Sequence, residues 1–177
     1  MLLSRVEEGI SPTSRPQRGL FSPGDAWLVT GDLFFRDEDG DFWLAGSAGS
    51  NVTTAHGIVG GSAIEDALGL LDVIDVSVTY AVPAQDDGDL AVTAVTLRTG
   101  GVLHAADLSV ALGQLPPDRR PQVVHVVERI PTSTSHRPLT DHFVAAGRPA
   151  SGAGVYELDP LTGDYREATL YAQRSGR

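Results

Sequence analysis

The sequence predicts an α+β fold, and three of its features indicate that class. Apolar runs that alternate with polar residues or are rich in β-branched side chains, typical of strands, recur along the 177 residues. Two other stretches have the apolar spacing or the capping residues of helices. These elements follow one another as a hairpin and then a βαββαβ-like series, the order expected of an α+β or mixed α/β domain.

The first 48 residues are predicted to be a linker followed by a β-hairpin. Residues 1–25 are rich in Ser, Pro, Gly and Arg, and their three prolines disfavour a regular helix. Residues 26–45 hold apolar runs on both sides of an Asp37–Gly40 turn, which contains the Asp and Gly that tight turns favour. We expect the whole of 26–45 to be one hairpin.

Residues 49–147 are predicted to be a small mixed α/β domain with a three-stranded sheet and two or more helices. Ser62 is the expected N-cap of the first helix, and Glu65 completes a capping box, so this helix should extend to about Leu71. The remaining expected elements are strands at 73–82, 90–97 and 122–127, a helix at 105–115, a polar loop at 131–142, and a short C-terminal tail over 148–177.

Composition excludes several classes of function. The net charge of -10 disfavours binding to nucleic acid or anionic lipid by bulk charge. All 13 basic residues are Arg, so a mechanism that needs a lysine of this chain is excluded, and the absence of Cys excludes a disulfide framework or a thiol nucleophile. No apolar run is long enough for an integral membrane segment and no signal peptide is recognisable. We expect a cytoplasmic protein, with peripheral membrane association left open.

The common catalytic motifs are missing. The five His residues have no metal-ligand spacing, and the acidic turn at 37–41 lacks the pattern of an EF-hand loop, so we expect no metal site. There is no G-x-S-x-G elbow and no phosphate-binding Gly-rich loop. One modest candidate remains, the Thr30-Gly31-Asp32 turn. Its carboxylate could accept two hydrogen bonds from a vicinal diol such as a ribose, but spacing alone favours a turn Asp that binds local backbone N–H groups.

A series of motifs over about 20–170 resembles a known family. Residues 22–33 read SPGDAWLVTGDL, and they are followed by RDEDGDFW at 36–43. Farther along, the matches are LPPDRRP at 115–121, IPTST at 130–134 and VYELD at 155–159. In order and spacing these motifs resemble the late part of the adenylate-forming acyl-CoA synthetases, in particular the fatty-acid-transport and very-long-chain branch.

The resemblance implies a C-terminal portion of an ATP-dependent fatty-acyl-CoA ligase, which converts an acid, ATP and CoA into acyl-CoA, AMP and pyrophosphate. Residues 1–48 would be the end of the large adenylation domain, 49–147 the mobile C-terminal domain and 148–177 a tail. The large AMP-binding domain, upstream in the same chain or in a separate subunit, would be the partner, with fatty acid and CoA. ATP with Mg and CoA would be substrates of the complete enzyme. None is expected to bind this chain alone, which should be inactive.

The resemblance also assigns roles to individual residues. Asp32, with Thr30 and Gly31, matches the family's ribose-binding segment, and Gly49 and Ser50 fall at its hinge. Arg137 falls on the adenylation lysine.

Several positions depart from the family. Ser47 replaces an Arg near the ribose, the hinge carboxylate is missing, and Pro138 removes a backbone donor beside Arg137. These departures leave an alternative open, a catalytically degenerate synthetase-like protein used for binding or regulation.

Overall fold

The computed structural model describes residues 3–5, 16–84, 88–133 and 137–168. The chain forms two compact units, Met1–Gly49 and Ser50–Arg177. Among the described residues, no helix has the length and apolar character needed to cross a bilayer.

The first unit consists of short antiparallel strands. They are β1 (Leu3–Arg5), β2 (Gln17–Arg18), β3 (Ala26–Val29), β4 (Asp32–Arg36) and β5 (Phe42–Ser47). β3 lies between β1 and β2 in one sheet, whereas β4 and β5 form a separate hairpin. The expectation of a single hairpin over 26–45 was therefore wrong in its first strand. Gly31 has a positive φ of 79°, which breaks the strand direction and separates β3 from β4.

The turn between β4 and β5 is the predicted one. Gly40 has a φ of 94°, and the Asp37 carboxylate accepts hydrogen bonds from the Trp43 indole (2.6 Å) and the Asp41 amide (2.8 Å). These two bonds, that from Trp43 first, lower the pKa of Asp37. The turn is thus held by the carboxylate of its own first residue, Asp37.

The second unit is built on a five-stranded mixed sheet. Its elements are β6 (Asn51–Thr54), β7 (Gly57–Gly60), α1 (Gly61–Gly69), β8 (Ile74–Pro83), β9 (Asp89–Leu97), α2 (Ala105–Gly113), β10 (Val123–Val126), α3 (Asp141–Ala146), β11 (Val155–Leu158) and β12 (Tyr165–Glu167). The sheet order is β12-β11-β10-β9-β8, with β9 and β10 parallel and the other pairs antiparallel. β6 and β7 form a separate hairpin.

This architecture confirms the predicted α+β class. The sheet has five strands rather than three, because residues beyond 147 contribute β11 and β12. Their backbone pairing follows from apolar side chains that the sequence shows only sparsely: Val155, Tyr156 and Tyr165 are buried. The segment expected as a tail therefore forms one edge of the sheet.

The core lies on both faces of the sheet. Ala91 and Val95 of β9 pack with α1 and α2, whereas the alternate residues Val92 and Ala94 pack with Phe143 of α3. A central strand covered on both faces has few polar residues, which explains why β9 is mostly apolar, with Thr93 and Thr96 as its buried polar residues.

Two local predictions were wrong. α1 begins after Gly60 without a side-chain cap, and Ser62 lies inside the helix. The Glu65 carboxylate instead accepts a hydrogen bond from the Thr79 amide at 2.9 Å. The segment expected as a polar loop over 131–142 also contains the start of α3, a helix with a single buried side chain and therefore little periodic signal.

Candidate functional site

The Thr30-Gly31-Asp32 turn connects β3 and β4. The Asp32 amide donates to the Thr30 hydroxyl at 3.1 Å, and the positive φ of Gly31 lets the chain reverse there. All three residues are partly buried. The turn is therefore shaped by a local side-chain hydrogen bond, and it places Asp32 at the first position of β4.

Asp32 lies opposite Ser47 in the β4–β5 hairpin. Cross-strand neighbours in such a pair have Cβ atoms about 4.5–5.5 Å apart, close enough for their side chains to act on one ligand. A register shift between Leu33 and Phe34 follows directly, and irregularities of this kind re-aim side chains at the end of a ladder. The Ser47 hydroxyl in turn accepts a hydrogen bond from the Gly49 amide at 3.3 Å. Four of the positions discussed from sequence, Thr30, Asp32, Ser47 and Gly49, thus meet at one corner of the first unit.

Asp25 organises the loop that precedes this corner. Its carboxylate accepts hydrogen bonds from the amides of Leu20, Phe21 and Ser22 and from the Trp27 indole, at 2.8 to 3.0 Å. Desolvation by burial opposes ionisation, but the four hydrogen bonds outweigh it and lower the pKa of Asp25. Sequence reasoning quoted this residue as part of a motif without assigning it a role. The available signal was an Asp two residues before a Trp whose indole needs an acceptor.

Arg137 lies in a loop of the second unit that folds back on itself. Thr132 and Pro138 form an antiparallel bridge, and the Leu139 amide donates to the Pro131 carbonyl at 2.8 Å. The Ser133 amide donates to the Arg137 carbonyl (2.8 Å), and the Arg137 amide donates to the Ser133 hydroxyl (3.1 Å). We call residues 131–133 and 137–139 the Arg137 arm. Arg137 is exposed on it.

Three aromatic rings lie where the Arg137 arm joins the sheet. Phe143 of α3 stacks on Tyr80 with ring centroids 5.5 Å apart and meets His125 edge-on at 5.7 Å. The Tyr80 hydroxyl and the His125 Nε2 are 3.0 Å apart. Burial lowers the pKa of His125 to about 4 and raises that of Tyr80 to about 12, so both are neutral at pH 7. Sequence reasoning missed this cluster because its members are 18 to 63 residues apart in the chain.

The predicted hinge residues flank the division between the units. The first unit ends at Gly49 and the second begins at Ser50, inside the 3₁₀ turn Ala48–Ser50. Ser50 is set closely against Gly61, where an added Cβ would lie 2.5 Å from the Ser50 carbonyl oxygen. Asp32 belongs to the first unit and Arg137 to the second. Over the described ranges, no three His, Asp or Glu side chains are grouped closely enough to hold a metal ion.

No family model matches the chain. A 4-coumarate–CoA ligase-like protein of Oryza sativa subsp. japonica is 25% identical over 133 residues, which are 72% of this chain and 24% of the rice protein.

Several solved structures share the fold of the chain. ATP-bound MatB from Rhodopseudomonas palustris has a TM-score of 0.60 at 24% identity, over 68% of this chain and 24% of that one. The o-succinylbenzoate coenzyme A synthetase MenE of Bacillus subtilis, in complex with AMP, has a TM-score of 0.55 at 19% identity, over 64% and 23%. A Mycobacterium tuberculosis fatty acyl CoA synthetase has a TM-score of 0.56 at 18% identity, over 68% and 25%. The chain spans about a quarter of each relative's length, and its fold is that of the C-terminal domain of adenylate-forming enzymes.

Proposed function

We propose that this chain is the C-terminal portion of an ATP-dependent fatty-acyl-CoA ligase of the adenylate-forming family, located in the cytoplasm. The observation that carries the proposal is the shared fold with several CoA synthetases, joined to a sequence match with a CoA ligase-like protein. The fatty-acid substrate is supported by the motifs of the sequence and by one fatty acyl CoA synthetase among the structures. A large AMP-binding domain supplies the remaining three quarters of the enzyme.

In this proposal, Asp32 binds the nucleotide ribose. A carboxylate offers acceptor sites for both hydroxyls of a vicinal diol, and the turn that carries it is fixed by Gly31 and the Thr30 hydroxyl. Ser47, opposite Asp32, has a short hydroxyl side chain in place of a cation. The corner can therefore recognise a ribose through neutral and acceptor groups, while the phosphates of ATP and their Mg are bound by the partner domain.

Arg137 stabilises negative charge during adenylation. Its planar, positively charged guanidinium can form two parallel hydrogen bonds to a carboxylate or phosphate. It stands on the Arg137 arm, exposed and able to meet a substrate presented by the partner domain. Rotation at Gly49 and Ser50 then brings the second unit into position for each of the two half-reactions.

The exposed apolar surface of the first unit supports the proposal that a partner domain covers it. The β4–β5 hairpin exposes apolar side chains on both faces: Phe35 and Trp43 on one, each 55% exposed, and Phe42 (69%) and Leu44 (64%) on the other. Asp25 is the only buried residue among those of this unit whose burial is described. A two-stranded hairpin without a core is marginal in water. The partner domain covers these faces and supplies the core that the unit lacks.

A second candidate function, a catalytically degenerate binding or regulatory protein, is favoured by one observation. The Arg137 amide is already bonded to Ser133, and Pro138 has no amide hydrogen, so neither position can offer a backbone donor to a phosphate. A site for adenylation would then depend on the Arg137 side chain alone.

A chimeric enzyme tests the choice between the two. Residues 16–177 replace the matching C-terminal part of the Mycobacterium tuberculosis fatty acyl CoA synthetase, and AMP release is followed with ATP, CoA and fatty acids of several lengths. We expect release above that of the truncated large part alone, lost on Arg137→Ala and retained on Arg129→Ala, another exposed arginine. A chimera that is folded but releases no more AMP than the truncated part would favour the degenerate protein.

A further inference from the structure

The Arg137 arm is attached to the second unit at both of its ends. Ile130, directly before the arm, is 7% exposed, and Phe143, four residues after it, is 8% exposed. Both belong to the same apolar cluster, on the sheet face opposite α1 and α2. The arm therefore leaves the sheet and returns to it at one place.

The attachment of the arm at its second end depends on one side chain of α3. Of the six residues of α3, only Phe143 is buried. A helix of this length has no stability of its own, because most of its hydrogen bonds would be those of a single nucleating turn. The position of α3, and with it the second end of the arm, is therefore set by the contacts of the Phe143 ring with Tyr80 and His125.

We propose that Phe143 is a positioning residue: its ring, packed against Tyr80 and His125, fixes the Arg137 arm and so determines where Arg137 is presented. The importance of this for catalysis rests on the proposed function. Positioning matters because the arm is a short antiparallel pair that would be marginal by itself. A charge that must meet a developing anion is effective only when its position is set in advance.

Amide hydrogen exchange of the full chain, read residue by residue by NMR, tests the positioning. The Ser133, Arg137 and Leu139 amides report on the arm, since each is bonded within it. We expect Phe143→Ala to accelerate their exchange about tenfold or more by local opening. Val144→Ala, a neighbouring exposed residue of α3, should leave it unchanged, and amides of β9 should keep their protection in both variants.

Phe143→Leu covers the case in which the alanine variant unfolds. Leucine keeps an apolar side chain but loses the ring contacts, so exchange should rise in the arm while β9 stays protected. Arm amides that exchange at the wild-type rate in this variant, in a folded protein, would overturn the proposal.

The chimera separates the two proposals. There Phe143→Leu should lower kcat for AMP release with little change in KM for ATP, while Val144→Ala changes neither. A chimera without activity, in a chain whose arm still responds to Phe143→Leu, would refute the ligase function and leave the positioning role intact. If the chimera is active but Phe143→Leu changes neither the amide exchange rates of the arm nor kcat, the positioning role alone is refuted.

Discussion

At the scale of single residues, Asp32 carries the nucleotide-binding part of the proposal. The corner formed by Thr30, Asp32 and Ser47 contains one carboxylate and two hydroxyls, and both hydroxyls already accept hydrogen bonds from backbone amides. Hydrogen bonds to a charged group contribute about 1.5–3 kcal/mol each, and immobilising a ligand costs several times that amount. Such a site can select a ribose only when another domain supplies most of the affinity.

We therefore predict that the chain alone binds ATP and AMP more weakly than about 1 mM, a free energy of roughly -4 kcal/mol. Isothermal titration calorimetry is the measurement. Asp39→Ala, which removes an exposed carboxylate of the neighbouring turn, is the control for a general charge effect. Micromolar binding that Asp32→Ala abolishes and Asp39→Ala does not would contradict this prediction.

His125 makes the stability of the second unit depend on pH. Its pKa is lowered by burial from 6.5 to about 4, so the unfolded chain takes up a proton on this ring at a higher pH than the folded chain. The stability that depends on neutral His125 is present above pH 6.5 and is lost as the pH falls toward 4, by about 3 kcal/mol in all.

His125→Phe should remove this part of the pH dependence, because phenylalanine has no proton to bind. Urea unfolding between pH 7 and pH 4 gives the comparison. His56→Ala, a change of an exposed histidine, should leave the wild-type slope in place. If the free energy of unfolding changes with pH equally in the wild type and in His125→Phe, the ring takes up its proton without cost in the folded chain.

At the scale of elements, Arg120 joins two parts of the second unit. Its guanidinium donates to the carbonyls of Gly113 (2.7 Å) and Leu115 (2.9 Å) at the C-terminus of α2, and of Gly163 (3.2 Å) between β11 and β12. A cation at this end of a helix satisfies carbonyls that have no partner within the helix. The sequence motif LPPDRRP at 115–121 thereby gains a structural role.

We predict that Arg120→Ala destabilises the second unit by about 2–3 kcal/mol, the cost of leaving polar groups without their charged partner. Arg120→Lys should recover only part of this, since an ammonium cannot reach three carbonyls in the geometry of a planar guanidinium. Urea denaturation is the measurement. The matched change Arg119→Ala removes an exposed ion pair with Asp118 and should cost under about 1 kcal/mol.

Elements were predictable from sequence where their own residues determine them. The strands at 73–82, 90–97 and 122–127 have enough β-branched and apolar residues to be recognised, and α2 has its leucines on one face. α3 was missed because it is held by contacts of Phe143 with Tyr80 and His125, which lie far from it in the chain. β11 and β12 were missed because their partner strands lie earlier in the chain. The prediction that Ser62 caps α1 was wrong because the helix begins earlier, at Gly61, which packs closely against Ser50.

The candidate site likewise has parts that could be predicted from the sequence and parts that could not. The Asp32 turn could be located, because Gly31 and Thr30 shape it locally. The pairing of Asp32 with Ser47 needed the register of the hairpin, and the attachment of the Arg137 arm to Tyr80 and His125 needed the tertiary fold. The roles of Asp32, Arg137 and the hinge residues remain predictions.

At the scale of the whole molecule, the two units differ in how they are stabilised. The second has apolar clusters on both faces of its sheet, whereas the described residues of the first expose most of their large apolar side chains. The chain passes from the first unit to the second at Gly49 and Ser50, where Gly49 is exposed and its amide donates to the Ser47 hydroxyl. Unfolding of the first unit should therefore leave the second intact.

Limited proteolysis with thermolysin should cut first within the first unit or at 45–50 and leave a stable fragment that begins near Asn51. Pairing of β6 with β7 protects the residues that follow. Mass spectrometry of the early products identifies the sites. First cuts within 63–128, with 45–50 intact, would mean that the division between the units is misplaced.

The contact between Glu65 and Thr79 has a consequence for the behaviour of the protein in concentrated solution. β8 is the outermost strand on its side of the sheet, ten residues long with three valines, and the edge of a sheet is a template on which a foreign strand can add. The Thr79 amide that would receive that strand is already occupied by the Glu65 carboxylate. The same bond that satisfies one backbone donor thus also guards the sheet against aggregation through this edge.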